Sequence, residues 1–238
     1  MDTARTALVT GGSAGLGRAL ARELVRRGWE VVITGRRPQR LRAVAAESPA
    51  MTPIVGDVTD SRHRTALVAE VSRRGRLDLL VNNASALGPS PLPVLRDYPE
   101  QALAEVFATD VLAPLALIAD LLPWAHSAGG VVVNITSDAA AEAYPGWGGY
   151  GAAKAALDHA SAVLAVEEPD VAVYSFDPGD MRTAMHQAAF PGQDISDRPE
   201  PETVVPALLR LLDERPPSGR YRAADLTAAW DDAVGARR

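Results

Sequence analysis

The chain has 238 residues, no cysteine and a formal net charge of −6 at pH 7. Hydrophobic residues make up 47% of it and charged residues 23%, which is an ordinary globular composition, and we predict a single domain over residues 1–238. The lack of cysteine excludes thiolate catalysis, Cys-ligated zinc and disulfide bonds. The acidic balance argues against a nucleic-acid partner, because no basic surplus is available to bind a phosphate backbone.

The first residues of the chain predict no targeting segment. Residues 1–5 lack the apolar stretch of a signal peptide, and no apolar run approaches the roughly 18 residues that cross a bilayer. We therefore expect a soluble cytoplasmic protein with no membrane partner.

Short apolar runs alternate with amphipathic segments along the chain. The runs are typical of buried strands and lie at residues 6–10, 31–34, 53–55, 77–81, 131–135 and 171–175, with a last short strand expected at 219–223. Helical periodicity is found at residues 16–27, 38–47, 62–74, 100–124, 147–167 and 203–213, and Pro114 predicts a kink or a break in the fourth of these helices. This alternation predicts the α/β class, with a doubly wound parallel sheet and helices on both faces.

Two segments have no periodicity. Residues 85–96 and 181–202 are rich in proline and follow strand ends, where α/β sheets place their ligands. We interpret them as substrate loops, and plain surface connections are the alternative.

A glycine-rich turn follows the first strand. Gly11, Gly15 and Gly17 stand between that strand and the first helix, an arrangement that lets a pyrophosphate approach backbone N–H groups at the helix N-terminus. The turn predicts nucleotide binding, although glycines also close ordinary turns between strands and helices.

Lys154 is the only lysine among 24 basic residues, and it lies four residues after Tyr150. On a helix this spacing puts both side chains on one face. An ammonium group nearby favours the phenolate, which makes Tyr150 a candidate acid or base in carbonyl chemistry. Ser137 follows the fifth strand and is a candidate donor to a substrate oxygen. Taken singly, Tyr150 could be a packing ring and Ser137 a helix cap.

In combination these segments resemble the short-chain dehydrogenase/reductase family. The resemblance spans about residues 6–183 and rests on Thr-Gly-x-x-x-Gly-x-Gly at 10–17, Asp57-Val58, Asn82-Asn83-Ala84, Ser137 with Tyr-x-x-x-Lys at 150–154, and Pro178-Gly179 with Thr183. Ser85 stands where the family has a glycine. The resemblance implies a Rossmann-like sheet of about seven strands in the order 3-2-1-4-5-6-7, and a homodimer or homotetramer built through the helices at 100–124 and 147–167.

The resemblance also implies which residues bind the cofactor. These are Gly11, Ser13, Gly15, Leu16, Gly17, Arg36, Arg37, Asp57, Val58, Asn83, Ala84, Tyr150, Lys154, Pro178, Gly179 and Thr183. Ser137, Tyr150 and Lys154 would be the catalytic residues. Asp110 occupies the position of a family asparagine that holds a water behind the lysine, so this role does not carry over unchanged. An aspartate in an apolar helical stretch needs a partner if it is buried, and we expect that partner to be Lys154; an Asp110 that points to solvent or caps a helix is the alternative.

The end of the second strand bears on the choice of nucleotide. NAD-binding sheets place an acid there to hold the ribose 2′-hydroxyl, but this chain has Arg36 and Arg37, and a guanidinium suits a 2′-phosphate. We therefore predict NADP rather than NAD, while the two arginines could instead simply begin a solvated helix.

Together these features predict an NADP-dependent oxidoreductase that transfers a hydride between the cofactor and a carbonyl or secondary alcohol of a small molecule. The alternatives are an epimerase or dehydratase on the same fold, and a nucleotide-binding sensor or scaffold without catalysis. The four histidines have no ligand spacing, so we expect no metal site. Tyr144 is a candidate for the substrate pocket.

Overall fold

The computed structural model describes residues 4–227. Its strands are β1 (Thr6–Thr10), β2 (Glu30–Gly35), β3 (Met51–Val55), β4 (Leu79–Asn82), β5 (Val131–Ile135), β6 (Ala172–Asp177) and β7 (Gly219–Arg222). Its α-helices are α1 (Gly15–Arg26), α2 (Pro38–Ala45), α3 (Ser61–Arg74), α4 (Glu100–Phe107), α5 (Ala113–Ala128), α6 (Gly148–Glu167), α7 (Ala184–Ala189) and α8 (Val205–Glu214).

The seven strands form one parallel sheet in the order β3-β2-β1-β4-β5-β6-β7, which confirms the predicted order. Alternate residues of each strand face opposite sides, so the continuous apolar runs feed two cores. Val9 and Ile33 pack on the side of α1 and α8, while Leu8 and Val32 pack on the side of α3 and α5. The strand ends that carry the site are therefore held from both faces.

The helix predicted over 100–124 is interrupted at the position that matters most for the site. Between α4 and α5 the backbone makes a π-helical turn, Ala108–Leu112, which includes the buried Asp110. Turns of this type are often found at functional sites. Pro114 lies in the first turn of α5, where its missing N–H leaves no hydrogen bond unmade. The irregularity therefore precedes the proline.

The expectation that residues 181–202 form a loop is wrong in part. Helix α7 lies within this segment, and Thr183 caps it by accepting a hydrogen bond from the His186 N–H at 3.1 Å. A helix of six residues is too short to produce a periodic apolar pattern that the sequence reveals. In the other predicted loop, residues 85–96, the first ten residues contain neither strand nor helix, as expected, but the last two begin a 3₁₀ helix, Leu95–Asp97.

One helical stretch, Glu100–Ala128, is long and apolar enough to span a bilayer by length and composition alone. Several of its apolar side chains lie in the core beneath the sheet, among them Leu117, Ile118 and Leu121. Packing against β4 and β5 accounts for this part of its apolar character.

Candidate active site

A cleft of about 670 Å³ opens at the carboxyl ends of the strands. Twelve of the predicted site residues line it, namely Gly11, Gly15, Leu16, Arg37, Asn83, Ala84, Ser137, Tyr150, Lys154, Pro178, Gly179 and Thr183. Six others, Ser13, Gly17, Arg36, Asp57, Val58 and Asp110, are not among the lining residues. Residues that are far apart in sequence thus meet at one edge of the sheet, where parallel strands end together.

The backbone of the glycine-rich turn has a conformation that residues with side chains rarely adopt. Gly11 and Gly15 have φ angles of +67° and +52°, in the left-handed region that favours glycine. A Cβ on Gly17 would lie 2.7 Å from the Gly11 carbonyl oxygen, so α1 packs directly on the turn. The helix follows Ala14, whose side chain cannot cap its first N–H groups. These N–H groups lie at the cleft and suit a pyrophosphate.

Thr10, which sequence reasoning did not single out, joins this turn to β4. Its Oγ1 accepts the N–H groups of Asn83 and Ala84, both at 2.9 Å, and donates to the Val81 carbonyl at 3.2 Å. The Asn83 side chain in turn donates to the Thr10 carbonyl at 2.8 Å. The threonine after the first strand was visible in the sequence, but its partners were not.

The end of β2 carries the two arginines in different settings. Arg37 lines the cleft, whereas the Arg36 guanidinium lies 3.7 Å from Asp57 Oδ2. Burial acts to raise the pKa of Asp57, but two hydrogen bonds from Thr59 and the charge of Arg36 outweigh it and hold that pKa below its usual value. Val58 is buried in the core.

Ser13 stands beside the same strand end. A Cβ on Gly35 would lie 3.3 Å from Ser13 Oγ, so the glycine at the end of β2 leaves room next to this hydroxyl.

Helix α6 brings Tyr150 and Lys154 to the cleft, and both are almost fully buried. Lys154 Nζ lies 5.4 Å from the centre of the Tyr150 ring and donates to the Ile135 carbonyl at 2.9 Å. A Cβ on Gly151 would lie 2.5 Å from the Ala139 carbonyl oxygen, which explains the glycine next to the tyrosine. Helix α6 therefore lies tight against the segment that follows β5.

Burial dominates the electrostatics of Tyr150. It raises the pKa of the phenol, and although Lys154 acts to lower that pKa, the net direction is upward. The charge of Lys154 does act to lower the pKa of Tyr150, as expected. The expectation is nevertheless wrong for the net pKa, because burial has the larger effect. A phenol with a raised pKa keeps its proton at neutral pH but is a weaker acid, so the opposing charge of Lys154 is what favours the transfer of that proton.

Ser137 lines the cleft and also caps a short 3₁₀ helix, Asp138–Ala140. Its Oγ donates to Asp138 Oδ1 at 2.9 Å and accepts the Ala139 N–H at 3.2 Å. The capping interpretation and the catalytic one are thus compatible, because the cap fixes the hydroxyl at the cleft.

Asp110 is fully buried, which contradicts the alternative in which it points to solvent. Its Oδ2 lies 3.7 Å from Lys154 Nζ and accepts the Ser85 hydroxyl at 2.8 Å, while its Oδ1 accepts the Ala86 N–H at 2.7 Å. Burial raises the pKa of Asp110 against the opposing effect of Lys154. Burial lowers the pKa of Lys154, but Asp110 and Tyr150 outweigh this, so its pKa is raised.

The turn after β6 closes the cleft on the other side. Gly179 has a φ of +70°, and its N–H donates to Asp177 Oδ1 at 3.0 Å. Thr183, which caps α7, lines the same cleft.

An apolar wall faces the Tyr150 end of the cleft. The Trp147 ring meets that of Tyr150 edge-on with centroids 5.7 Å apart, and it meets Phe190 at 6.0 Å. Leu87 and Met185 complete the wall. The loop after β4 and helix α7 both contribute to it, so both candidate substrate segments reach the cleft.

The family model for short chain dehydrogenases matches residues 5–194. The chain belongs to this family. The Serine 3-dehydrogenase of Agrobacterium fabrum is 38% identical over 200 residues, which cover 81% of this chain and 78% of that protein.

Solved structures of the family superimpose closely on the fold. A short chain dehydrogenase from Shigella flexneri complexed with NADP has a TM-score of 0.87 at 29% identity, covering 94% of this chain and 99% of that one. A second, from Escherichia coli complexed with NADPH, has a TM-score of 0.86 at 30% identity, covering 93% of this chain and 98% of that one. This chain is thus a short-chain dehydrogenase/reductase with the oxidoreductase fold of its relatives.

Proposed function

We propose that this short-chain dehydrogenase is an NADP(H)-dependent enzyme that interconverts a carbonyl group and an alcohol on a small molecule. The observation that carries the proposal is the meeting of Tyr150, Lys154 and Ser137 at one cleft whose other end is the glycine-rich turn. A sensor or scaffold has no need of a buried phenol beside the only lysine of the chain.

The chain's own residues provide the proton chemistry. Bound NADP(H) would supply or accept the hydride. Tyr150 donates its proton to the carbonyl oxygen during reduction and takes it back during oxidation. The Ser137 hydroxyl turns its single hydrogen from Asp138 Oδ1 to the same oxygen, while the Ala139 N–H continues to hold Oγ in place. The Lys154 ammonium stabilises the tyrosinate that this transfer leaves.

The cleft fits a dinucleotide phosphorylated at its 2′ position. The free N–H groups at the start of α1 suit the pyrophosphate, and Arg37 suits the 2′-phosphate, with Ser13 and Arg36 beside it. The end of β2 offers Gly35 where NAD-binding sheets carry an acid. Two relatives of known structure hold NADP or NADPH, which supports the same choice here.

The wall of the cleft favours a substrate with an apolar group and no carboxylate. Trp147, Phe190 and Met185 offer apolar contact beside Tyr150. The Asp138 carboxylate also lines the cleft and would repel an anionic substrate, whereas the Asp180 carboxylate is paired with Arg198 at 3.4 Å. We therefore propose a neutral or cationic ketone or aldehyde, in contrast to the amino acid named for the Agrobacterium fabrum relative.

A substrate panel tests the proposal. Purified protein is mixed with NADPH and a set of neutral, cationic and anionic ketones and aldehydes, and absorbance at the nicotinamide band is followed; oxidation of L-serine with NADP is measured in parallel. We expect turnover with neutral or cationic carbonyl compounds. A preference for L-serine or for carboxylate-bearing ketones would contradict the substrate proposal, and no turnover in either direction would contradict the enzyme proposal.

We also propose a cytoplasmic homodimer or homotetramer. Leu112, Val163 and Val166 are exposed on the helices that the family resemblance implicates in association, with Val166 as much as 82% exposed. Light scattering after size-exclusion chromatography would give the mass, and a Val166→Asp variant should lower it if these helices form the interface.

A further inference from the structure

Arg220 on β7 connects three segments of the candidate active site. Its Nη2 donates to the Ser137 carbonyl oxygen at 3.0 Å and to Asp177 Oδ2 at 2.9 Å, and its Nε donates to Asp158 Oδ2 at 3.2 Å. These three acceptors lie after β5, at the end of β6 and on α6. One planar guanidinium thus contacts the segment that carries Ser137, the helix that carries Tyr150 and Lys154, and the strand end before the Gly179 turn.

Each of the three acceptors lies in, or next to, a residue that is expected to bind the substrate or the cofactor. The Ser137 carbonyl belongs to the residue whose hydroxyl faces the substrate. The Asp177 carboxylate also accepts the Gly179 N–H at 3.0 Å, so it holds the turn Pro178-Gly179. Asp158 lies one helical turn after Lys154 on α6.

These groups are buried to a degree that makes loss of the contacts costly to the stability of the fold. The side chain of Asp177 is only 3% exposed and that of Asp158 is 17% exposed, while that of Arg220 is 30% exposed. A buried carboxylate that loses its partner is strongly disfavoured, so the fold resists separation of β7 from Asp177. The rigid fork of a guanidinium suits three acceptors at once, which a single ammonium group does not.

We propose that Arg220 is a positioning residue, which fixes the Ser137 main chain and the Gly179 turn relative to α6 and thereby sets the angle at which the Ser137 hydroxyl meets the substrate oxygen. This inference rests on the proposed function for its kinetic part, but its structural part does not need catalysis.

Amide hydrogen exchange tests the structural part. The Ala140 N–H donates to the Ser137 carbonyl at 3.1 Å, and the Gly179 N–H donates to Asp177, so both report on the network. In Arg220→Ala we expect both amides to exchange about ten-fold faster, the change expected when one charge-assisted hydrogen bond is lost. The matched control is Arg222→Ala, since Arg222 is exposed two residues further along β7 and makes no side-chain hydrogen bond or ion pair within residues 4–227. Unchanged exchange in Arg220→Ala overturns the inference, whether or not the protein is active.

A double-mutant cycle tests the kinetic part. We expect Arg220→Ala to lower kcat about ten-fold, and to have little further effect in a Ser137→Ala background, where no hydroxyl remains to be positioned. Binding of 2′,5′-ADP should stay unchanged, because the adenosine end of the cleft is remote from β7. If Arg220→Ala lowers kcat ten-fold in the Ser137→Ala background as well, the inference is overturned, because Arg220 would then affect kcat without acting through the Ser137 hydroxyl.

Arg220→Lys keeps the test decisive if Arg220→Ala does not fold. The lysine retains the charge beside Asp177 and Asp158 but cannot reach all three acceptors. We expect it to fold and to show the same changes to a smaller extent; wild-type exchange and kcat in this variant overturn the inference. A further outcome is faster exchange in the variants while the wild type turns over no carbonyl compound. This result would support the positioning of Ser137 and would refute only the proposed function.

Discussion

The two ends of the cleft are built by different means. The nucleotide end consists of backbone groups at the start of α1, held by two left-handed glycines and by hydrogen bonds that Thr10 accepts from the N–H groups of two residues after β4. The catalytic end consists of charged side chains from different elements, including the buried pair of Asp110 and Lys154 and the contacts of Arg220.

The difference shows how each end tolerates change. Backbone N–H groups bind phosphate whatever the side chains are, provided that the glycines allow the turn. Buried charges depend on each other, because removing one leaves its partner uncompensated inside the protein. We therefore expect the loss of the proton donor, or of the whole polar group of a buried pair, to have a larger effect than a substitution at the nucleotide end.

The largest effect is expected for Tyr150→Phe, which keeps the ring and removes the proton donor. Activity should fall by about 10²–10⁴-fold, the usual contribution of a positioned acid or base, while NADP should still bind through the glycine-rich turn and Arg37. Steady-state kinetics and a cofactor titration measure both. Tyr221→Phe makes the same chemical change at a hydroxyl that bonds to the Pro217 carbonyl, and it should retain activity. Comparable turnover in Tyr150→Phe would refute the proposed mechanism.

Asp110→Leu should have the next largest effect. It leaves the Lys154 ammonium without its counter-ion and the Ser85 hydroxyl and the Ala86 N–H without their acceptor, and we expect a loss of about 3–5 kcal/mol in the free energy of unfolding. Denaturant titration measures this loss. Asp120→Leu is the matched control, because Asp120 is exposed on α5 and should change stability by no more than about 0.5 kcal/mol. Equal stability of the two variants would refute the importance of the buried pair.

A smaller effect is expected at the nucleotide end for Arg37→Ala. Losing a charge-assisted hydrogen bond of about 1.5–3 kcal/mol should weaken NADP binding roughly ten-fold or more and leave NAD binding unchanged. Cofactor titrations into this variant, Arg36→Ala and the control Arg40→Ala measure the contribution of each arginine. Tighter binding of NAD than of NADP by the wild type would contradict the proposed cofactor.

The smallest effect is expected for Asp110→Asn, which keeps the size of the side chain and removes the charge. Asp110 raises the pKa of both Lys154 and Tyr150, so the wild type holds both protons to higher pH. Without that charge both pKa values fall, and the alkaline limb of the pH–rate profile should move to lower pH while the protein stays folded and active. Profiles of the wild type, Asp110→Asn and Asp120→Asn measure the shift. An unmoved limb, or one that moves to higher pH, would show that Asp110 does not act on these protons.

The order of the strands followed from the family resemblance, but the sequence by itself determined the strands, the glycine-rich turn and the pairing of Tyr150 with Lys154. These features are local, because strand and helix periodicities follow from the backbone and four residues make about one turn of helix. Burial of Asp110 beside Lys154 was also within reach, since a charge among apolar neighbours requires a partner.

Only the tertiary structure decided which further side chains complete the site. The partners of Asp110 include Ser85 and Ala86, which no periodicity links to it. Arg220 gave no signal, because all but one of the 24 basic residues are arginines and nothing in the sequence distinguishes the one that faces Asp177. The net upward direction of the pKa of Tyr150 likewise depends on how deeply the folded chain buries its ring, and burial is a property of the packed molecule that spacing along the chain does not contain.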